Sequence, residues 1–152
     1  LPNIKEVLEI GKARIIKEGK KVALLNFGTR LEECKKASEI LSKKGIDITI
    51  IDARFAKPLD EKLIMEAANN HEVLISIEEG SIGGFGSHVM QFLSDRGVFD
   101  KGLKFRSMIL PDLFIDHDKP ENMYKVAGLD AISIENKVID TLNSKVVLKR
   151  TN

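Results

Sequence analysis

Four short apolar runs, each followed by a segment with helical periodicity, constrain the fold more than any other feature of the sequence. They are rich in Val, Ile and Leu and lie at residues 22–27, 46–52, 72–77 and 103–110. Runs this short and apolar are typical of strands covered on both faces, and their alternation with helices is typical of a parallel sheet. The sequence therefore predicts an α/β fold of three layers, α/β/α, around a mostly parallel sheet of about five strands.

The remaining strand is predicted at residues 12–17, as an antiparallel strand at one edge of the sheet. A turn centred on Gly19 joins it to the apolar run at 22–27, which favours a hairpin between these two segments. Lysines along the first strand are expected to protect its open edge from pairing with other chains.

Helix starts are predicted from residues that cap the first backbone amides. Thr29 with Glu32 three residues later has the pattern of a capping box. Asp60 is predicted to cap a helix over 61–70, and Ser133 is predicted to cap the last helix.

The composition indicates an ordinary globular domain. Of the 152 residues, 43% are hydrophobic and 31% are charged, and the net charge of +1 offers no basic field for nucleic acid. No apolar run approaches the ~20 residues needed to cross a bilayer, so no membrane span is expected. The single cysteine, Cys34, excludes an intramolecular disulfide and suits a reducing cytoplasm. Because it lies on the apolar stripe of the first predicted helix, we interpret it as a core residue rather than a catalytic thiol.

A glycine-rich loop within residues 76–88 is the most distinctive of the predicted strand-to-helix loops. The segment reads S-I-E-E-G-S-I-G-G-F-G-S-H. Such loops share one edge of a parallel sheet, where α/β proteins bind ligands and partners. A small-molecule site and a surface that docks on another domain are both open interpretations.

The glycine spacing disagrees with that of a dinucleotide site. A G-x-G that starts at Gly84 places Val89 where the third glycine should be. Glu78 and Glu79 stand directly before the loop, where their charges would repel a diphosphate. A G-x-x-x-x-G-K-[ST] segment is also missing from the sequence. These features disfavour a phosphate cradle.

Glu78 and Glu79 could act together as an acid and a base, because like charges raise one of the two pKa values. Adjacent residues at a strand end point to opposite faces, however, so the two carboxylates need not share a site. We favour the interpretation that one of them accepts hydrogen bonds from loop amides or pairs with Arg54 from the neighbouring strand end.

The histidines are His71, His88 and His117, and their spacing does not match a metal site. His88 lies near a predicted helix start, where the helix dipole disfavours a charged imidazole, so a neutral hydrogen-bonding role is expected. The D-H-D segment at 116–118 has the residue types of a metal site, but Asp118 is explained as a helix cap. No catalytic, cofactor-binding or metal-binding residue is predicted.

Five segments carry a family resemblance: V-A-L-L-N-F-G-T, D-A-R-F-A-K-P-L-D, I-E-E-G-S-I-G-G-F-G-S-H-V, L-P-D-L-F-I-D-H and A-G-L-D. In this order they closely resemble the C-terminal domain of 1-deoxy-D-xylulose-5-phosphate synthases, which are transketolase-like enzymes. The resemblance covers the chain from about residue 8 to residue 142. R-F-x-K-P-L-D and E-E-G-x-I-G-G-F-G-S go beyond the looser R-x-x-x-P-L-D and E-E-G pattern of related dehydrogenase beta subunits.

The resemblance implies an enzyme that uses thiamine diphosphate and Mg²⁺ to decarboxylate pyruvate and join the two-carbon unit to glyceraldehyde 3-phosphate. The product is a precursor of isoprenoids, thiamine and pyridoxal. Members of the family hold the cofactor in upstream domains through a G-D-G type segment, which this sequence lacks. The chain alone is therefore expected to be inactive and to bind neither cofactor.

The resemblance also implies a division of the chain and a location. Residues 1–152 are predicted to be one transketolase C-terminal-like domain, with 1–11 as a linker from upstream domains and 145–152 as a tail. Since the first residue is Leu1 rather than Met, the sequence is expected to start after a processing point or boundary. The cytoplasm of a bacterium or a plastid-type organelle is the expected location.

An interfacial role is the function that the resemblance leaves for this domain. In related enzymes it packs against the pyrimidine-binding domain and helps to form the homodimer. The candidate interface residues are Arg54, Glu78, Glu79, Gly83, Gly84 and Gly86. Two alternatives stay open: a 2-oxo-acid dehydrogenase beta-subunit domain that acts as a binding module, and a free-standing nucleotide- or flavin-binding domain.

Overall fold

Strands and helices alternate along the part of the chain that the structure describes. The computed structural model describes residues 7–144, so most of the predicted linker and the whole predicted tail lie outside the described residues. The elements are β1 (Arg14–Lys17), β2 (Val22–Phe27), α1 (Leu31–Lys43), β3 (Thr49–Asp52), α2 (Glu61–Asn70), β4 (Val73–Glu78), α3 (Phe85–Asp95), β5 (Lys104–Met108), α4 (Pro120–Val126) and α5 (Ala131–Asn143). None of the helices in this described range is long and apolar enough to span a membrane.

The strands form one sheet in the order β1-β3-β2-β4-β5. The four strands from β2 to β5 are mutually parallel, and β1 is antiparallel to β3. This confirms the predicted sheet, with its single antiparallel edge strand. The predicted hairpin between residues 12–17 and 22–27 is wrong, because β1 pairs with β3 instead of β2.

The turn at Gly19 explains why β1 lies beside β3. A Cβ atom on Gly19 would stand 2.2 Å from the carbonyl carbon of Ile48, so the chain crosses directly against the residue that precedes β3. The Gly19 amide donates to Thr49 Oγ1 at 3.0 Å, and the Lys20 amide donates to the Asp47 carbonyl at 2.9 Å. These contacts hold the turn across the start of β3, with β1 on its outer side and β2 on its inner side.

The core consists of two apolar clusters, one on each face of the sheet. Alternate strand residues face opposite sides. Leu24 and Ile75 pack with α1 and α5, while Leu25 and Leu74 pack with α2 and α3. The three-layer prediction is therefore confirmed.

The start of α1 differs from the prediction. The helix begins at Leu31, and Arg30 occupies the N-cap position without a side-chain cap. Thr29 does not cap the helix, because its hydroxyl donates to the carboxylate of Glu79 instead. The expected capping box at this helix is therefore wrong.

Carboxylates cap two of the other helices. Asp60 accepts a hydrogen bond from the Leu63 amide, which confirms the cap predicted for α2. The cap of α5 is Asp130, which accepts from the Ser133 amide, so the predicted Ser133 cap is wrong. Asp118 stands one residue before the N-cap position of α4 and does not occupy it.

Candidate functional site

The strand ends that the sequence analysis singled out lie together at one edge of the sheet, here named the rim. It is the edge formed by the carboxyl ends of the parallel strands. The parallel strands β2, β3, β4 and β5 end there at Phe27, Asp52, Glu78 and Met108. The antiparallel β1 begins at the same edge, because Arg14 pairs with Asp52. The loops that follow the parallel strands thus meet at one edge, as a parallel α/β sheet requires.

The glycine-rich loop of the rim folds around the carboxylate of Glu78, which is only 4% exposed. Its Oε2 accepts a hydrogen bond from the Phe85 amide at 2.9 Å, and its Oε1 accepts one from the Gly86 amide at 2.8 Å. Both amides belong to the first turn of α3, where no helix carbonyl can reach them. The helix dipole also favours a negative charge at this end. The expectation that a glutamate would accept loop amides is confirmed for Glu78.

Glycines leave the room that this carboxylate occupies. A Cβ atom would lie 2.6 Å from Glu78 Oε2 if built on Gly80, and 2.5 Å from it if built on Gly84. On Gly86 a Cβ atom would lie 2.5 Å from Ser76 Oγ. Gly80, Gly84 and Gly86 are therefore explained by close packing around an internal carboxylate and its neighbour rather than by a bound nucleotide.

The start of α3 does not fit the diphosphate of thiamine diphosphate. The amides that would hold a phosphate already bind Glu78, whose carboxylate occupies the site. Val89, which stands where a dinucleotide site has its third glycine, is fully buried in the core. Within residues 7–144, no group of three or more His, Cys, Asp or Glu side chains is arranged to hold a metal ion.

Glu79 points away from Glu78 and belongs to a second polar cluster. Its carboxylate accepts a hydrogen bond from the Thr29 hydroxyl, and its Oε1 lies 2.7 Å from Arg30 Nε. The contact between Arg30 Nε and Glu79 is an ion pair without a directed hydrogen bond. The Arg30 guanidinium also lies over the Tyr124 ring, 3.5 Å from its centroid.

The pKa of Glu79 shows what this cluster can do chemically. Burial raises that pKa, but hydrogen bonds from Thr29 and Tyr124 and the charge of Arg30 outweigh burial and bring it below its ordinary value of 4.5. The hydrogen bond to Glu79 raises the pKa of Tyr124. Since the folded state favours the ionised carboxylate, the stabilisation is present above pH 4.5 and is lost as the pH falls through the lower folded-state pKa. At neutral pH the cluster is a fixed polar contact, and the two glutamates do not form an acid–base pair.

Arg54 lies apart from both glutamates. Its Nε donates to the carbonyl of Lys12 at 2.9 Å, beside the segment that leads into β1. The hypothesis that Arg54 pairs with Glu78 or Glu79 is wrong, because β2 separates β3, which Arg54 follows, from β4. The candidate interface residues therefore lie in three places: the loop around Glu78, the cluster around Glu79, and the position of Arg54 beside the start of β1.

The three histidines occupy separate places. His88 Nδ1 lies 3.2 Å from the Ala56 carbonyl, which joins the first turn of α3 to the loop after β3 and confirms a hydrogen-bonding role. His71 Nδ1 lies 2.8 Å from the Ala67 carbonyl. His117 is exposed.

Comparison with known proteins identifies the family. The family described as transketolase, C-terminal domain, matches residues 11–134, which is most of the chain. The chain belongs to the transketolase C-terminal domain family. This family assignment agrees with the five-stranded, mostly parallel sheet and its flanking helices.

Solved structures of transketolases share this fold. A split-gene transketolase, described as an inactive β4 tetramer, is 27% identical with a TM-score of 0.80, and the match covers 89% of this chain and 43% of that chain. Transketolase from Campylobacter jejuni subsp. jejuni NCTC 11168 is 16% identical with a TM-score of 0.62, and the match covers 86% of this chain and 18% of that one. The chain thus spans less than half the length of either protein.

The sequence did not single out Arg30 and Tyr124 as rim residues of this transketolase C-terminal domain. Arg30 follows the end of β2, so its place along the chain could have identified it as a rim residue. Tyr124 lies on α4, and its contact with Arg30 spans 94 residues of sequence (124 − 30), which helical periodicity cannot reveal.

Exposed apolar side chains lie on the loops at the rim. Ile82 in the glycine-rich loop is 78% exposed, and Leu113 and Phe114 after β5 are 55% and 96% exposed. The two loops are joined, because the Leu110 amide donates to the Gly80 carbonyl at 2.9 Å. Apolar groups so exposed suit a surface that is covered by another domain.

Cys34 is fully buried in the core, as predicted. Burial raises the pKa of its thiol to about 12, so the thiolate is not formed near neutral pH.

Proposed function

We propose that this chain is the C-terminal domain of a thiamine-diphosphate-dependent transferase and that it docks, through the rim, on the domains that hold the cofactor. The observation that carries the proposal is the carboxylate of Glu78, which occupies the anion site at the start of α3. A loop that binds its own carboxylate is fixed in shape, and it presents Ile82 to the surroundings. These properties suit a docking surface better than a cofactor site.

Within the family we propose a 1-deoxy-D-xylulose-5-phosphate synthase. The support is the sequence of two rim segments, R-F-A-K-P-L-D and E-E-G-S-I-G-G-F-G-S. The complete enzyme would use thiamine diphosphate and Mg²⁺ as a homodimer, in a bacterial cytoplasm or a plastid-type organelle. The upstream domains would hold the cofactor, which supplies the carbanion chemistry.

A second candidate is a subunit of a transketolase encoded by a split gene. The 27% identity to such a protein over 89% of this chain favours it. The domain would then dock on a separate polypeptide instead of on domains of its own chain. A 2-oxo-acid dehydrogenase beta subunit is a third arrangement in which the same rim would serve as a binding module.

Substrate use distinguishes these candidates. We expect the complete enzyme that contains this chain to form 1-deoxy-D-xylulose 5-phosphate from pyruvate and glyceraldehyde 3-phosphate, in a reaction that requires thiamine diphosphate and Mg²⁺. Mass spectrometry of the product would measure it. Parallel reactions would offer a ketose phosphate with an aldose phosphate, or pyruvate with a lipoyl acceptor. Turnover only in one of these parallel reactions would refute the synthase assignment.

Cofactor binding by the chain alone tests the docking role. We expect isothermal titration of residues 1–152 with thiamine diphosphate and Mg²⁺ to show no binding at micromolar concentrations, because Glu78 already binds the α3 amides. The complete enzyme, titrated under the same conditions, is the positive control. Micromolar binding to the chain alone would contradict the proposal.

A further inference from the structure

Arg54 has a backbone conformation that glycine adopts more easily. Its φ is +58°, in the left-handed region, where residues with a Cβ atom are strained. The other such non-glycine residue in the described range is Lys21, in the turn that leads into β2 at the opposite edge of the sheet. Strained residues of this kind are concentrated at functional sites, which suggests that the side chain of Arg54 has a function at the rim.

The guanidinium of Arg54 is held in place by a hydrogen bond from one of its three nitrogen atoms. Its Nε donates to the Lys12 carbonyl at 2.9 Å, and this bond fixes the plane of the group. Its two Nη atoms make no hydrogen bond or ion pair with any residue from 7 to 144. An arginine held in this way presents a preorganised fork for a planar anion.

The two aspartates at the ends of the Arg54 loop already have partners. Asp52, at the end of β3, lies 2.9 Å from Arg14 in an ion pair. Asp60 accepts two backbone amides, one at the start of α2 and one at the residue before β1. These two carboxylates are therefore not available to the fork.

Two exposed lysines add to the positive charge beside Arg54. Lys12 supplies the carbonyl that binds Arg54, and Lys57 lies in the same loop as Arg54. Neither lysine forms an ion pair within the described residues. We name Lys12, Arg54 and Lys57 the basic corner of the rim.

The surroundings favour a carboxylate over a phosphate as the anion. Phosphate sites on α/β folds use the free amides of a helix start. The start of α2, which follows this loop, is capped by Asp60. The first amides of α3, whose His88 contacts Ala56 of this loop, bind Glu78. A carboxylate needs only the two Nη groups, which can bind its two oxygens in parallel.

We propose that the basic corner binds a carboxylate side chain of the domain or subunit that the rim meets, and that Arg54 donates to it through both Nη groups. This inference rests on the docking role proposed above. It adds the chemistry of the partner, which is an acidic side chain opposite Arg54.

Substitutions of Arg54 in the complete enzyme test this proposal. Arg54→Gln removes the charge, and Arg54→Gly removes the side chain while relieving the backbone strain. We expect both to raise the dissociation constant of the subunits about tenfold, as measured by sedimentation. Both should also reduce the dependence of that constant on salt concentration. Arg54→Lys should retain the salt dependence but not the full affinity. Lys62→Gln on α2 is the matched control, because Lys62 is exposed and lies outside the basic corner.

Zero-length cross-linking with a carbodiimide identifies the partner group. Lys12 or Lys57 should become linked to a carboxylate of the neighbouring domain or subunit, and the link should be lost in Arg54→Gln. Wild-type affinity and salt dependence in both Arg54→Gln and Arg54→Gly would overturn the proposal, as would cross-links confined to residues 1–152. If the enzyme assembles normally and either of these two overturning results is obtained, only this inference fails. If no assembly with a cofactor-holding polypeptide forms, the proposed function fails with it.

Discussion

Glu78→Ala is expected to lower the free energy of unfolding by about 3 kcal/mol, the largest loss for any single substitution in the rim. The change removes a carboxylate that is 4% exposed and leaves the amides of Phe85 and Gly86 without their acceptor. Each unsatisfied buried amide costs about 1–3 kcal/mol. Urea unfolding followed by circular dichroism would measure the loss, and hydrogen exchange should show faster exchange at these two amides.

Two further variants separate this role from a general effect of lost charge. Glu78→Gln keeps the shape, but its NH₂ group faces an amide donor, so it should keep only part of the stability. Glu79→Gln is the matched control on the opposite face, where the ion pair with Arg30 is part-exposed and contributes about 1 kcal/mol or less. Equal losses for Glu78→Gln and Glu79→Gln would show that the carboxylate does not organise the loop.

Gly84→Ala is the second substitution with a large expected effect, at about 2 kcal/mol of lost stability. Its φ of −80° suits any residue, so the cost is steric: the new Cβ would stand 2.5 Å from Glu78 Oε2. The same substitution should therefore cost much less in a Glu78→Ala background. We expect a coupling energy of about 1 kcal/mol or more from the double-mutant cycle, measured by urea unfolding.

Gly83→Ala serves as the control for this cycle. Gly83 has a φ of +96° and open space around a Cβ position, so its substitution should cost about 1 kcal/mol through backbone strain alone. That cost should not change when Glu78 is replaced by Ala. If the Gly84 and Glu78 effects simply add, the close packing seen between them has no energetic role.

The layers and the parallel strands could be predicted because they depend on local apolar patterns. The partner of β1 could not, since a hairpin to β2 has the right spacing and only the contact of Gly19 with Ile48 decides against it. The cap of α5 was missed for a related reason. Asp130 and Ser133 are both good capping residues, three positions apart, and the sequence does not tell which one leads the helix.

The candidate site was predicted in part. Strand alternation correctly separated Glu78 from Glu79, because it depends on neighbours in sequence. The glycine spacing disfavoured a dinucleotide site, and the structure shows that Glu78 binds the amides at that place. The partners of Glu79 and Arg54 depend on tertiary contacts. Arg30 takes the place that was expected for Arg54, and Arg54 binds a backbone carbonyl 42 residues away.

The reversed direction of β1 has a consequence for tether length. Because β1 is antiparallel to its neighbour, the chain enters the sheet at the rim. A parallel strand of the same four residues would begin at the far edge and add roughly 13 Å to the path, at about 3.3 Å per residue. The residues before β1 act as a tether between the rim and any surface joined to them. A shorter tether raises the effective concentration of the rim at that surface. The orientation of one edge strand can thus shift an association equilibrium without adding a contact.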